Sequence, residues 1–151
     1  MRNYTAQGLS ASGTGPKTAV NLIGATTIRP MIRKLTFGFR TNPNTTDQQV
    51  QVQAGNTTAA GTAGSSPTPK PNDMNDPIAA QVTAGITHSA EPTYAATFWI
   101  DTDLNQRASK DFFYEDGREL CGAATASNGA AAKMALVTAA LVMSCVVSFG
   151  E

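Results

Sequence analysis

The sequence predicts an all-β protein, an antiparallel β-sandwich of jelly-roll type with about eight strands and one long irregular loop. Two observations carry this. Short segments alternate apolar and polar residues at period two, most cleanly where Val50, Val52 and Ala54 oppose Gln49, Gln51 and Gln53. Stretch 87–119 then gathers most of the Phe and Tyr residues and the only Trp into two alternating segments around 102–107, the pattern of a β-hairpin. At 151 residues the chain fits a single domain spanning 1–151, long enough to bury roughly two thirds of its surface.

Taken in order, residues 3–9 are short and polar, suiting an edge strand or an arm that reaches a neighbour. A Gly/Ser turn at 10–16 leads to a strand at Lys17–Ile23. Met31–Phe39 is a stronger strand, with Met31, Leu35, Phe37 and Phe39 on one face and Ile32, Lys34 and Thr36 on the other. Arg33 breaks the apolar side, which places it near a strand end or an interface. A loop with Pro43 precedes the strand at 47–54. Residues 55–77 hold no aromatic, Val, Leu or Ile but include Pro67, Pro69, Pro71 and Pro77. Such a segment buries little apolar surface of its own and is read as an extended Thr/Pro/Gly-rich loop within the domain. A helical turn is expected at 76–81, and strands at 82–89, 94–101, 109–115 and 119–124.

The C-terminal stretch 130–149 carries one charge, Lys133, and a hydropathy scan alone could take it for a membrane span. Its β-branched residues and its serines argue instead for one long strand, or two joined by a bend, covered on both sides. Read at period two, Val137, Leu141, Met143, Cys145, Val147 and Phe149 share an apolar face, and Ser144, Val146 and Ser148 lie opposite.

Charged residues make up 15% of the chain with zero formal net charge, against ~25% in ordinary soluble domains. No basic excess is present to follow a phosphate backbone, so no nucleic acid partner is expected, and no membrane partner either. Ala, Thr, Gly, Ser and Asn dominate, which suits flat, closely packed β surfaces. A weakly charged, neutral protein is also prone to self-association. Cys121 and Cys145 match no zinc spacing and read as small buried hydrophobes, with a disulfide left open.

Catalytic patterns fail on inspection, so no catalytic, cofactor or metal residues are assigned and the chain is read as a non-enzyme. The run ASGTGPKT at 11–18 superficially resembles a phosphate loop, but Pro16 removes the amide a phosphate needs. Asp101, Asp103 and Asn105 open like a calcium loop, yet Gln106 stands where Gly is required and Phe112 where Glu belongs. His88 is the single imidazole, and its neighbours Ser89 and Glu91 do not form a triad by adjacency. Glu115, Asp116 and Glu119 read as a solvated tip. The residues that invite a subunit contact are Arg2 and Tyr4 in the N-terminal segment, Arg33, Trp99, Arg107 and Phe113. Trp and Tyr are favoured interface anchors, and Arg107 is expected to pair either locally with Asp103 or across subunits.

The order of KTAVNLIG, IRPMIRKLTFG, GTAGSSPTPKPNDMNDP, THSAEPTY, LNQRA, ATASNGA and a terminal Phe-Gly-Glu resembles a family of small tailed-bacteriophage virion proteins, the capsid decoration or cement proteins. The resemblance spans nearly the whole chain. It implies a sandwich or jelly-roll subunit, often a trimer, made in the host cytoplasm and seated on the capsid surface, where it bridges major capsid protein subunits. It carries over no catalytic residue. One departure is the charged run 110–115. The alternative function is a receptor- or glycan-binding module of a phage head fibre or tail.

Overall fold

The computed structural model describes residues 1–40, 47–135 and 137–151. The expected Pro43 loop and Leu136 lie outside them. Twelve strands form two antiparallel six-stranded sheets packed face to face. They are β1 (Asn3–Leu9), β2 (Lys17–Ile23), β3 (Met31–Phe39), β4 (Gln49–Ala59), β5 (Lys70–Pro71) and β6 (Thr83–Gly85), then β7 (Thr93–Tyr94), β8 (Ile100–Asn105), β9 (Lys110–Phe113), β10 (Leu120–Cys121), β11 (Gly129–Met134) and β12 (Met143–Gly150).

Eight of these make a jelly roll. Taking β1, β2, β3, β4, β8, β9, β11 and β12 in order, the pairs nest from the outside inward. β1 pairs β12, β2 pairs β11, β3 pairs β9 and β4 pairs β8. The first sheet runs β5-β1-β12-β3, with β9 and β10 both on the far side of β3, and the second runs β6-β2-β11-β4, with β7 and β8 on β4. This nesting is the double Greek key of jelly rolls. Inward-facing Tyr4, Phe37, Phe149, Leu22, Leu35, Met134 and Met143 fill the space between the sheets. Gly129 opens β11 where a Cβ would fall on the Leu22 carbonyl oxygen, so the turn at 127–129 needs glycine.

Several expectations change. The two segments of stretch 87–119 are not a hairpin. β8 pairs with β4 in the second sheet, whereas β9 pairs with β3 in the first, so the chain changes sheet at residues 106–109. Of the expected turn at 102–107, residues 102–105 belong to β8, and 106–107 alone turn. Gln51 and Gln53 donate to the two Asp101 carboxylate oxygens at 2.6 and 3.2 Å, while Ile100, Thr102 and Leu104 pair with Ala54, Val52 and Val50 on the inner side. Residues 55–59 complete β4 and so are not loop, and the rest of the irregular segment is tacked to strands through Lys70–Pro71 on β1 and bridges Thr62–Ala90 and Ser65–Ile86. Residues 76–81 form no helical turn; Asp76 instead closes a turn onto the Asp73 carbonyl at 3.1 Å. The first segment is no reaching arm, because β1 pairs with β12 along its whole length; it lies one short strand from the sheet edge, with Lys70–Pro71 meeting part of its other side.

In β3 the register slips between Lys34 and Ile32 opposite Ser148 and Phe149. Arg33 is the extra residue of this bulge, which explains why it broke the alternation. The slip turns Ile32 into the core with Leu35 and Phe37, reversing the faces expected for Met31 and Ile32. Stretch 130–149 resolves into two strands in different sheets, and no helix among the described residues is long and apolar enough to cross a membrane.

Candidate interaction surface

The two sheets differ in what covers their outer faces. Much of the insertion at 60–99, between β4 and β8, lies over the second sheet, while Lys70–Pro71 extends the edge of the first. Asn21 donates to the Ala60 carbonyl at 3.0 Å, the Thr18 amide to Glu91 at 2.8 Å, and Thr18 and Tyr94 share a hydroxyl contact at 2.9 Å. The Lys133 ammonium sits 4.4 and 4.9 Å from the Tyr94 and Phe98 ring centres, a doubled cation–π contact. Burial beneath these rings lowers the Lys133 pKa. This roof explains why β2 and β11 are buried on both faces.

Among the described residues the first sheet carries no such roof. Its outer face follows from the register, since residues directly opposite in antiparallel strands share a side. One rank reads Thr5, Ser148, Lys34, Phe113; the next Gln7, Val146, Thr36, Asp111; the third Leu9, Ser144, Gly38. The middle is small and uncharged. At its flank, Lys34 pairs with Asp111 at 3.2 Å and lies 4.8 Å from the Phe113 ring centre. Phe113 is 70% exposed, on a face whose other apolar side chains in these ranks and the next, Leu9, Val146 and Met31, are all half-buried. The Asp111 carboxyl is held below its usual range, first by Thr36 and then by Lys34.

The residues expected to make subunit contacts separate clearly. Tyr4 leaves the set: it is fully buried, stacks on Phe149 at 5.9 Å and donates to the Ile78 carbonyl at 3.2 Å. Its alternation in a polar segment marked an inward position, not a reaching arm. Arg2 pairs with Asp76 at 3.2 Å. Arg33 bridges Asp116 at 2.8 Å and Glu119 at 3.3 Å, so the acidic tip folds back onto the bulge and is not simply solvated. Glu119 sits below its usual range, held first by its own backbone amide and then by Gly117 and Arg33. Arg107 pairs with Asp47 at 2.6 Å in place of Asp103. Trp99 is half-buried against the core, its amide on the Ala54 carbonyl. Phe113 alone among the six is a largely exposed apolar side chain.

The chain matches no protein-family model, no curated protein and no solved structure.

Among the described residues no group of three or more His, Cys, Asp or Glu is placed to hold a metal ion. His88, within the insertion, is 2% exposed, and neither ring nitrogen makes a hydrogen bond of ordinary geometry. Burial lowers its pKa, opposed by Glu91 and the Thr18 backbone. It is a packing residue. Cys121 and Cys145 are free thiols, and burial pushes Cys145 up. The sequence reading passed over the ranks of the first sheet, although Ser144, Val146 and Ser148 had been read onto one face; what it lacked was which neighbours complete that face.

Proposed function

We propose that the protein is a structural virion component of a tailed bacteriophage that seats on the outer capsid surface and bridges major capsid protein subunits as a cement or decoration protein. The observation that supports this reading is the asymmetry of the sandwich. The chain covers its second sheet with its own insertion and leaves the first sheet flat, small-sided and flanked by an exposed phenylalanine. A solvated outer face ordinarily carries more charge, and an exposed aromatic on a flat surface fits a contact anchor. The family resemblance points to the same role. Cement subunits act through repeated modest contacts, which multivalency turns into firm attachment.

In this reading the first sheet faces the shell and the protein works as a homo-oligomer, with a trimer preferred. The test uses purified protein and capsids assembled without it. Added protein is expected to co-sediment with the shells and raise the temperature at which they break open, and light scattering is expected to give a trimer mass. Protein that leaves the shells unbound and unstabilised would overturn the reading.

A further inference from the structure

The outer face of the first sheet is crossed by a trough. It starts as a cavity of about 570 Å³ beside the sheet-changing corner, lined by Arg40, Arg107, Gly38 and Ser144, and continues into one of about 290 Å³ through shared Arg40, Ser144 and Val146. That second cavity shares Gln7 and Pro67 with a third of about 290 Å³, which ends at Lys70. The trough thus runs over β3, β12 and β1 to the wall made by residues 67–70.

Its charge is one-sided. Arg40, Arg107 and Lys70 line it, and no Asp or Glu does. Arg107 is committed to Asp47, and the one acid in the ranks of the face, Asp111, is committed to Lys34. Arg40 and Lys70 are exposed, and among the described residues neither has a carboxylate within ion-pair distance. In a chain of zero net charge this leaves two free cations, one toward each end of a small-sided floor. The rings beside it belong to Phe37, fully buried, and Phe39, which shares the inward side of β3, so the floor offers no aromatic plane for a sugar. Hydroxyls and an amide from Thr36, Ser144 and Gln7 suit a backbone instead.

We propose that this trough docks an extended acidic polypeptide segment of a partner protein. The proposal rests on the attachment reading only in using the same face. The insertion shows the packing this chain uses for an extended segment lying over a sheet, with polar side chains bonded to main-chain groups beneath a few ring contacts. The trough supplies the polar half of that arrangement without an occupant from the described residues, and its free charges select the sign of the partner.

The test is fluorescence anisotropy of the full chain with a labelled short peptide alternating Glu and Thr, beside its Lys/Thr counterpart and a sulfated oligosaccharide. The Glu peptide is expected to bind, more weakly as salt rises, and the Lys peptide not to bind. Arg40→Gln and Lys70→Gln are each expected to weaken binding by up to about five-fold, the ceiling for an exposed ion pair. Val146→Trp is expected to block the floor with an unchanged melting transition. No binding of the Glu peptide, equal binding of the Lys peptide, insensitivity to all three substitutions, or binding by the oligosaccharide alone would each overturn the proposal. Failure here with capsid attachment intact removes the trough and leaves the attachment reading standing.

Discussion

At the scale of single residues, side chains of one type do opposite work. Phe149 lies between the sheets with no exposure, and Phe113 stands in solvent at the edge of the first. Phe149→Ala is expected to cost about 3–5 kcal/mol, as for a large aromatic removed from a core. Phe113→Ser is expected to change stability by less than about 0.5 kcal/mol. Urea unfolding of both variants checks the contrast. Thr27 is a second case. It holds a φ of 69° in the tight turn where Ala25 and Ile28 exchange backbone hydrogen bonds at 2.9 and 3.0 Å, a conformation that costs a β-branched residue about 1–3 kcal/mol. Thr27→Gly is expected to raise the unfolding midpoint, with a net gain of about 1 kcal/mol once glycine's chain entropy is deducted. His88 gives a pH signature. Its folded pKa lies below the 6.5 of free imidazole, so below that pH the unfolded chain binds a proton that the folded chain does not. Stability therefore falls as pH drops through 6.5 toward the lowered folded value. Thermal melts between pH 7 and 5.5 are expected to show this decline, reduced in His88→Gln.

At the scale of elements, the strands of the jelly roll were largely legible where one face is core and the other wet. β1, β2 and β3 fall on their expected spans, and the inner row of β12 matches the apolar face read from Met143 to Phe149. Two kinds of information were not local. The bulge at Arg33 shows in sequence only as a misplaced charge, because its cause is the register with β12. The run at 102–107 reads as a turn, because Asp and Asn are turn formers; its first four residues become strand only beside β4, whose glutamine row also satisfies the preceding Asp101 carboxylate. Residues 60–77 of the insertion were legible as irregular and Pro-rich. The strands expected at 82–89 and 94–101 shrink to Thr83–Gly85 and Thr93–Tyr94, with β8 starting at Ile100, and nothing along the chain told that the aromatic end would roof β11. That roof predicts a dynamic effect. Tyr94→Ala removes one of the two rings over Lys133 and the hydroxyl partner of Thr18. Amides at 87–99 are then expected to exchange faster with deuterium, with those of β1 and β12 unchanged.

At the scale of the whole molecule, the chain is a jelly roll with one face closed by itself and one left flat. The closed face holds several buried polar groups, Asn21 of β2 beneath the insertion and His88 and Glu91 within it. The flat face holds the exposed phenylalanine, the trough and the free cations. This asymmetry supports the proposed attachment, through a face whose small side chains and unpaired cations suit coverage by a partner. Of the residues that sequence reasoning chose for contact, the register retains Phe113 on that face. It moves Tyr4 into the core and ties Arg2, Arg33 and Arg107 to acids of the same chain.

Attachment through the flat face is tested most directly by the affinity of Phe113→Ser for capsids assembled without the protein. Wild-type protein is expected to bind saturably. The variant, folded and oligomeric as before, is expected to bind about 30-fold more weakly, the loss typical of a contact hot spot of ~2 kcal/mol. Equal binding by the two proteins would contradict the account.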